Sequence, residues 1–278
     1  MNYNTLVNFL HKNVLVNLIL LFVYYLLVVL PHEKVGLLTV KIFSSLERST
    51  YNLVVLCISI FILLFTLIVL GKKTLQHPQK KLIIFYLLST IAFAALCINV
   101  LFVINIEVVH FFQYAVFALL CYPLTLNYNQ SLIISTLAGA LDEAYQYFYL
   151  APQRTNYFDF NDVIINLIGV AFGLVIIKIF KPASKTFNLN QFIKSPAFIL
   201  IVLVSAITSI AIFTNLLGIY HTNTEAQFLL VKKAFDSFWI TVHPNITYHV
   251  MLPLEGVLIT VALWLFYWPL GKEYVNLK

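Results

Sequence analysis

Residues 51–70 read Tyr-Asn-Leu-Val-Val-Leu-Cys-Ile-Ser-Ile-Phe-Ile-Leu-Leu-Phe-Thr-Leu-Ile-Val-Leu, and Gly71-Lys72-Lys73 follow. A helix rises about 1.5 Å per residue, so about 20 apolar residues cross a hydrocarbon core of about 30 Å. Lipid cannot satisfy backbone polar groups, which makes a helix the only structure such an isolated run can adopt there. The stretch is therefore a transmembrane helix, stopped by glycine and two lysines.

Seven further runs of the same kind flank it, at about Val14–Leu30, Leu82–Ile104, Val108–Tyr122, Gln130–Leu150, Val163–Phe180, Pro196–Leu217 and Met251–Leu270. The fold class expected is all-α: a polytopic transmembrane bundle of about eight spans, forming a single integral membrane domain over 1–278. Composition agrees. The 278 residues are 61% hydrophobic and 10% charged, with mean hydropathy +0.92, whereas soluble domains are about one quarter charged. Pro31-His32-Glu33-Lys34 follow the first run without a small-residue cleavage site, so that run is read as an uncleaved span.

The net charge of +6 does not point to nucleic acid, because the cations alternate with apolar runs and form no soluble patch. Cys57, Cys97 and Cys121 each sit inside a run, without metal or disulfide spacing, and read as small core residues. With the N-terminus inside, eleven of the seventeen Lys and Arg fall in cytoplasmic segments, among them Lys72, Lys73, Lys80, Lys81, Lys181 and Lys185. The positive-inside rule thus favours N-in and C-in. Ten of the eleven acidic residues then lie on the outer side, Glu273 being the exception.

Two outer connections have amphipathic patterns. Thr222-Asn223-Thr224-Glu225 has capping-box spacing, and Phe228, Val231, Phe235 and Phe238 follow at helical intervals opposite Lys232, Lys233 and Asp236. A helix lying on the outer membrane surface is expected there. A weaker pattern covers Val35–Leu46.

Ionisable groups inside spans cost about 2.5–3.5 kcal/mol each at mid-membrane, so their positions carry information. Three outer helix ends hold them. Glu107, His110 and Tyr114 fall at i, i+3 and i+7; Gly139, Asp142, Glu143 and Gln146 repeat the pattern; Asp162, Asn166, Gly169 and Gly173 recur at i, i+4, i+7 and i+11. Arg154 and Asp159 lie in the connection between the last two helices. Each feature has a plainer reading. Gly169 and Gly173 can be a packing face, Asp162 a helix cap, His110 a hydrogen-bonded structural residue, and Arg154 the neutralising partner of Asp142 or Glu143. A shared polar cavity opening outward accounts for all of them together.

In this order, Glu143-x-x-Gln146, Arg154 and Asp162-x-x-x-Asn166-x-x-Gly169-x-x-x-Gly173 resemble the VanZ family of bacterial membrane proteins. The stretch Val109–Val116, with His110, Phe111 and Tyr114, is similar to that family's His-Phe-x-x-Tyr helix. The resemblance is clearest over 105–176, within a core at 82–180, and leaves 196–278 as a two-span accessory region. It implies a multi-pass protein of the bacterial inner membrane. The family takes its name from resistance to the glycopeptide teicoplanin, a phenotype rather than a mechanism.

The expectation is an outward polar pocket that binds an envelope lipid, a cell-wall precursor or a lipophilic glycopeptide, lined by Glu107, His110, Tyr114, Asp142, Glu143, Gln146, Arg154, Asp159, Asp162 and Asn166. The alternatives are an intramembrane acid–base enzyme with Glu143 as base and His110 as its partner, or a proton-linked transporter subunit. Membrane lipids are the expected partners, and nucleic acid is not. No metal or other cofactor is expected, since no ligand spacing such as His-Glu-x-x-His occurs. The oligomeric state is not legible.

Overall fold

The computed structural model describes residues 3–31, 34, 37–38, 41, 47–103, 105–150, 152, 156–180, 189–235, 237–243 and 246–271. All eight apolar runs lie in helices, and those helices do different jobs. Helix α1 (Tyr3–Lys12) turns by 108° at Asn13 into α2 (Val14–Val29). Then come α3 (Arg48–Gln76), α4 (Lys80–Val100), α5 (Val108–Thr125), α6 (Tyr128–Tyr145), α7 (Phe160–Phe180), the short α8 (Leu189–Ile193), α9 (Pro196–Phe213) and α10 (Pro253–Tyr267). Among the described residues, six helices are long and apolar enough to cross a membrane, or seven if the bent pair α1–α2 counts as one span. Of the eight runs, α2 is only 16 residues long, and α6 carries Asn129, Gln130, Ser131, Ser135, Thr136, Asp142 and Glu143.

Burial explains that difference. The chain is a polytopic helical bundle with α7 at its centre. Every residue from Asn161 to Val175 is buried, as expected of a helix that is apolar all round. Around it pack α5, α6, α4 and α10, with α2 against the outer face of α5. Helices α3 and α9 present Phe61, Phe65, Ile68, Ile207 and Ile210 outward, to lipid. Helix α6 keeps its polar residues because protein, not lipid, covers them.

Two glycines set how closely α7 meets α5. A Cβ on Gly169 would stand 2.9 Å from the Cα and carbonyl carbon of Phe111, and one on Gly173 3.1 Å from the same atoms of Ala115. Backbone cannot yield as a side-chain tip does, so the two helices reach this separation only with glycine on α7.

The α5–α6 connection is tight. Leu126 has φ 48°, and the Asn127 side chain accepts hydrogen bonds from the Asn129 and Gln130 amides, capping α6. Helices α5 and α6 are thus antiparallel, and the start of α5, the end of α6 and the start of α7 come to one end of the bundle. A single π turn (Gln146–Leu150) extends α6 there.

The outer-surface helix expected after Thr222 does not form. The described residues of 214–252 are turns and short strands: β1 (Leu217–Gly218) pairs in parallel with β2 (Phe228–Leu229), and β3 (Ile240–His243) pairs antiparallel with β4 (Ile246–Tyr248). The backbone amides that a helix would have used are taken elsewhere. Phe228 N donates to Leu216 O, Leu230 N to Gly218 O, Val231 N to Ile219 O and Lys232 N to Asn156 O. Asn223 does not cap a helix; its side-chain oxygen accepts from the Tyr220 amide within a turn. Long-range pairing outweighed a weak local pattern, as tertiary context commonly does. The Val35–Leu46 pattern falls largely outside the described residues.

Candidate functional site

Helix geometry dictates which polar side chains meet. On α5, His110 and Tyr114 are about one turn apart and face α6 and α7. Asp142 and Glu143 occupy the last turn of α6, and Gln146 opens the π turn that follows it. On α7, Asp162 and Asn166 are one turn apart at the start. Asp142 and Asn166 are 0% exposed, Glu143 2%, His110 3% and Asp162 9%.

Asp142 is held from two sides. Tyr114 Oη donates to its Oδ2 and Gln146 Nε2 to its Oδ1, each at 3.0 Å. Asn166 Nδ2 donates to Glu143 Oε1 at 3.3 Å. The His110 ring stands between two carboxylates, with Nδ1 3.9 Å from Glu143 Oε1 and Nε2 3.8 Å from Asp162 Oδ2. Both gaps exceed hydrogen-bond length, and they become ion pairs only when the ring is protonated. From α2, Tyr25 Oη donates to the Ala138 carbonyl one turn below. Gly139 leaves room for this arrangement: a Cβ there would lie 3.2 Å from Asn166 Nδ2 and 3.3 Å from the Tyr114 ring.

Asp159, not Asp162, caps α7. Its Oδ1 accepts from the Asn161 amide at 3.0 Å and the Asp162 amide at 3.4 Å. Burial, and next the nearby Asp162 charge, push the Asp159 carboxyl up to about 8, against the lowering effect of those two amides. That frees the Asp162 side chain to face His110. Its Oδ1 is buried with no hydrogen-bond partner among the described residues, and so is the Asn166 Oδ1.

The remaining candidates stand apart. Glu107 ends a 3₁₀ turn (Asn105–Glu107) that packs on α3, within electrostatic reach of Tyr51 and Tyr157. Arg154 lies outside the described residues. Two cavities lie elsewhere, both toward the far end of α7: one of about 300 Å³ beside Lys73, His77 and Phe180, and an apolar one of about 240 Å³ beside Leu70, Phe172 and Ile179. The residues of the acid–histidine cluster are buried.

Several residues that complete this end were not legible from the sequence. Asn161 Nδ2 donates to the carbonyls of Leu101 and His249, and its Oδ1 accepts from the Met251 amide. Tyr147 Oη donates to Leu229 O at 2.7 Å, and Phe158 N to Leu230 O at 2.8 Å. Lys232 Nζ donates to Pro152 O and lies 4.3 Å from the Tyr147 ring centre. His249 contacts the Glu255 carboxylate at 2.8 Å and stacks on Phe238 at 3.8 Å between ring centres. The described residues of segment 214–252 therefore form a roof on the ends of α6 and α7 that flank the chamber. The one available hint was Asn161 within Asp159-x-Asn161-Asp162; contacts to residues 229 and 249 leave no local pattern.

The arrangement brings three carboxylates, one imidazole, two amides and a phenol into one buried volume. Such a set can hold a proton, a cation or a donor-rich polar group. The VanZ/LLP1 family model matches residues 18–181, from α2 to the end of α7, and so includes every residue of the cluster. No curated protein and no solved structure matches the chain.

Proposed function

From the premise that the chain belongs to the VanZ/LLP1 family, we propose that it is a membrane protein whose chamber at the joined ends of α5, α6 and α7 binds the polar part of an envelope amphiphile. The candidates are a lipid headgroup, a lipid-linked cell-wall precursor or a lipophilic glycopeptide, and protection against such an antibiotic is the expected consequence. One observation carries this reading: three separate helices bring buried polar groups to the same point, an imidazole and a phenol from α5, two acids from α6 and an acid and an amide from α7, at a cost that packing alone does not require. The lysine distribution supports placing that end on the non-cytoplasmic face of a bacterial inner membrane.

A second reading has its own support. His110 lies within 4 Å of both Glu143 and Asp162, an arrangement suited to holding and passing a proton in acid–base catalysis on a lipid-linked substrate. A transporter subunit is less well supported, because α7 continues below Asn166 as buried Leu167, Ile168, Val170 and Ala171.

Native mass spectrometry of the chain in nanodiscs of bacterial lipid extract tests the binding reading, comparing wild type with Asp142→Asn and Glu143→Gln. A species retained by wild type and lost in both variants at equal protein recovery is the expected result. Identical spectra would sink the proposal. Conversion of that species on incubation would favour the enzyme.

A further inference from the structure

We propose that the cluster is a site for one divalent transition-metal ion, bound by His110, Asp142 and Glu143. This goes beyond the envelope-amphiphile reading and does not require it. The sequence predicts no metal because the ligands come from two helices and fall at no recognisable spacing. Only the fold brings them together.

The first argument is distance. One ligand atom each from His110, Asp142 and Glu143 lie within 4.8 Å of one another, and all three residues are buried. Three ligand atoms about 2.0–2.2 Å from one ion stand about 3.3–3.8 Å from one another. Closing by about 1–1.5 Å through side-chain rotation would complete the site. Asp162 Oδ2 lies 3.8 Å from His110 Nε2, while Nδ1 faces Glu143, and so can orient the imidazole from its other nitrogen.

The second is charge. Three carboxylates and one imidazole share a volume from which water is nearly absent. Among the described residues of the cluster, only His110 can carry a positive charge. Buried anions left uncompensated are strongly disfavoured. A divalent ion cancels most of that charge with a single ligand.

The third is unused polar capacity. Asn166 is fully buried; its Nδ2 holds Glu143 while its Oδ1, on the same amide carbon, has no hydrogen-bond partner among the described residues. Asp162 Oδ1 is in the same state. The donors that are in place resemble an outer shell. Tyr114 and Gln146 fix both oxygens of Asp142, each of which keeps a second lone pair. One nitrogen with carboxylate oxygens suits Zn²⁺, Mn²⁺, Fe²⁺ or Co²⁺.

The experiment is metal content of the full chain, purified in detergent without chelator, equilibrated with Zn²⁺, Mn²⁺ or Co²⁺ and desalted. Wild type is expected to retain about one ion per chain, and Asp142→Asn and Glu143→Gln to lose affinity at least about tenfold. Both variants preserve side-chain volume. Should they fail to fold, X-ray absorption on the Co²⁺-loaded wild type decides alone, with one imidazole among oxygen ligands as the expected first shell. Wild type retaining no ion, or the same ion content in both folded variants, or a first shell without imidazole, overturns the proposal. A copurified lipid retained by both variants while the ion is lost would count against the binding reading and leave this one standing.

Discussion

His110 Nε2 and Asp162 Oδ2 stand 3.8 Å apart, which ties the start of α5 to the start of α7 across the middle of the bundle. The residues are 52 positions apart in the chain, and α6 lies between them in sequence. The approach depends on the glycine contacts lower down the same pair of helices. A chamber built this way fails by loosening of the helices as readily as by loss of a polar group, so variants should separate the two.

Gly169→Leu should lower the amount of protein in the membrane. Even the first carbon of the new side chain would meet the Phe111 backbone, and overpacking of this kind costs about 1–3 kcal/mol or more. Gly71→Ala is the control. No atom lies within 4 Å of a Cβ there, and alanine in a helix interior is favoured by about 0.5–1 kcal/mol. Membrane abundance and thermal denaturation in detergent should move in opposite directions for the two variants.

Gly139→Ala tests the chamber more gently. The added methyl would lie 3.1 Å from Asn166 Cβ and 3.2 Å from its Nδ2, so the amide must shift by a few tenths of an ångström. The expected outcome is near-normal abundance with reduced retention of the copurified amphiphile or metal. Wild-type retention at normal abundance would mean that Asn166 does not need its present position.

Asp159 predicts a pH dependence. Its folded pKa, raised to about 8, exceeds the unfolded value of about 3.9, so the folded state binds the proton more tightly. The stability this provides is fully present below about pH 4 and is lost as pH rises toward 8. Asp159→Asn keeps a capping oxygen and removes the titration. Its thermal midpoint should be less dependent on pH between 5 and 8 than that of wild type, and higher than wild type at pH 8. Parallel pH profiles would refute the assignment.

Asn161→Ala should release the C-terminal region. The substitution leaves the carbonyls of Leu101 and His249 and the amide of Met251 without their partner, at about 1–3 kcal/mol for each group left buried and unsatisfied. Limited proteolysis should cut between residues 214 and 252 faster than in wild type, while 108–180 remains protected. Equal cleavage rates would mean that the roof is held by its other contacts.

The membrane-helical class was fully determined by the sequence, because hydrophobic length and the need to pair backbone groups in lipid are local properties, legible in a run such as 51–70. The polar stripes on α5, α6 and α7 were legible for the same reason: helical periodicity assigns each residue a face without knowledge of its neighbours. Tertiary structure alone decided that His110 stands between Glu143 and Asp162, that Asp159 takes the cap and leaves Asp162 free, and that the described residues after Thr222 form turns and short strands instead of a surface helix. Each of those outcomes is a competition among partners distant in the chain, for one amide, one carboxylate or one carbonyl. The winner is set by which groups the packed helices bring within reach, and no local pattern records that.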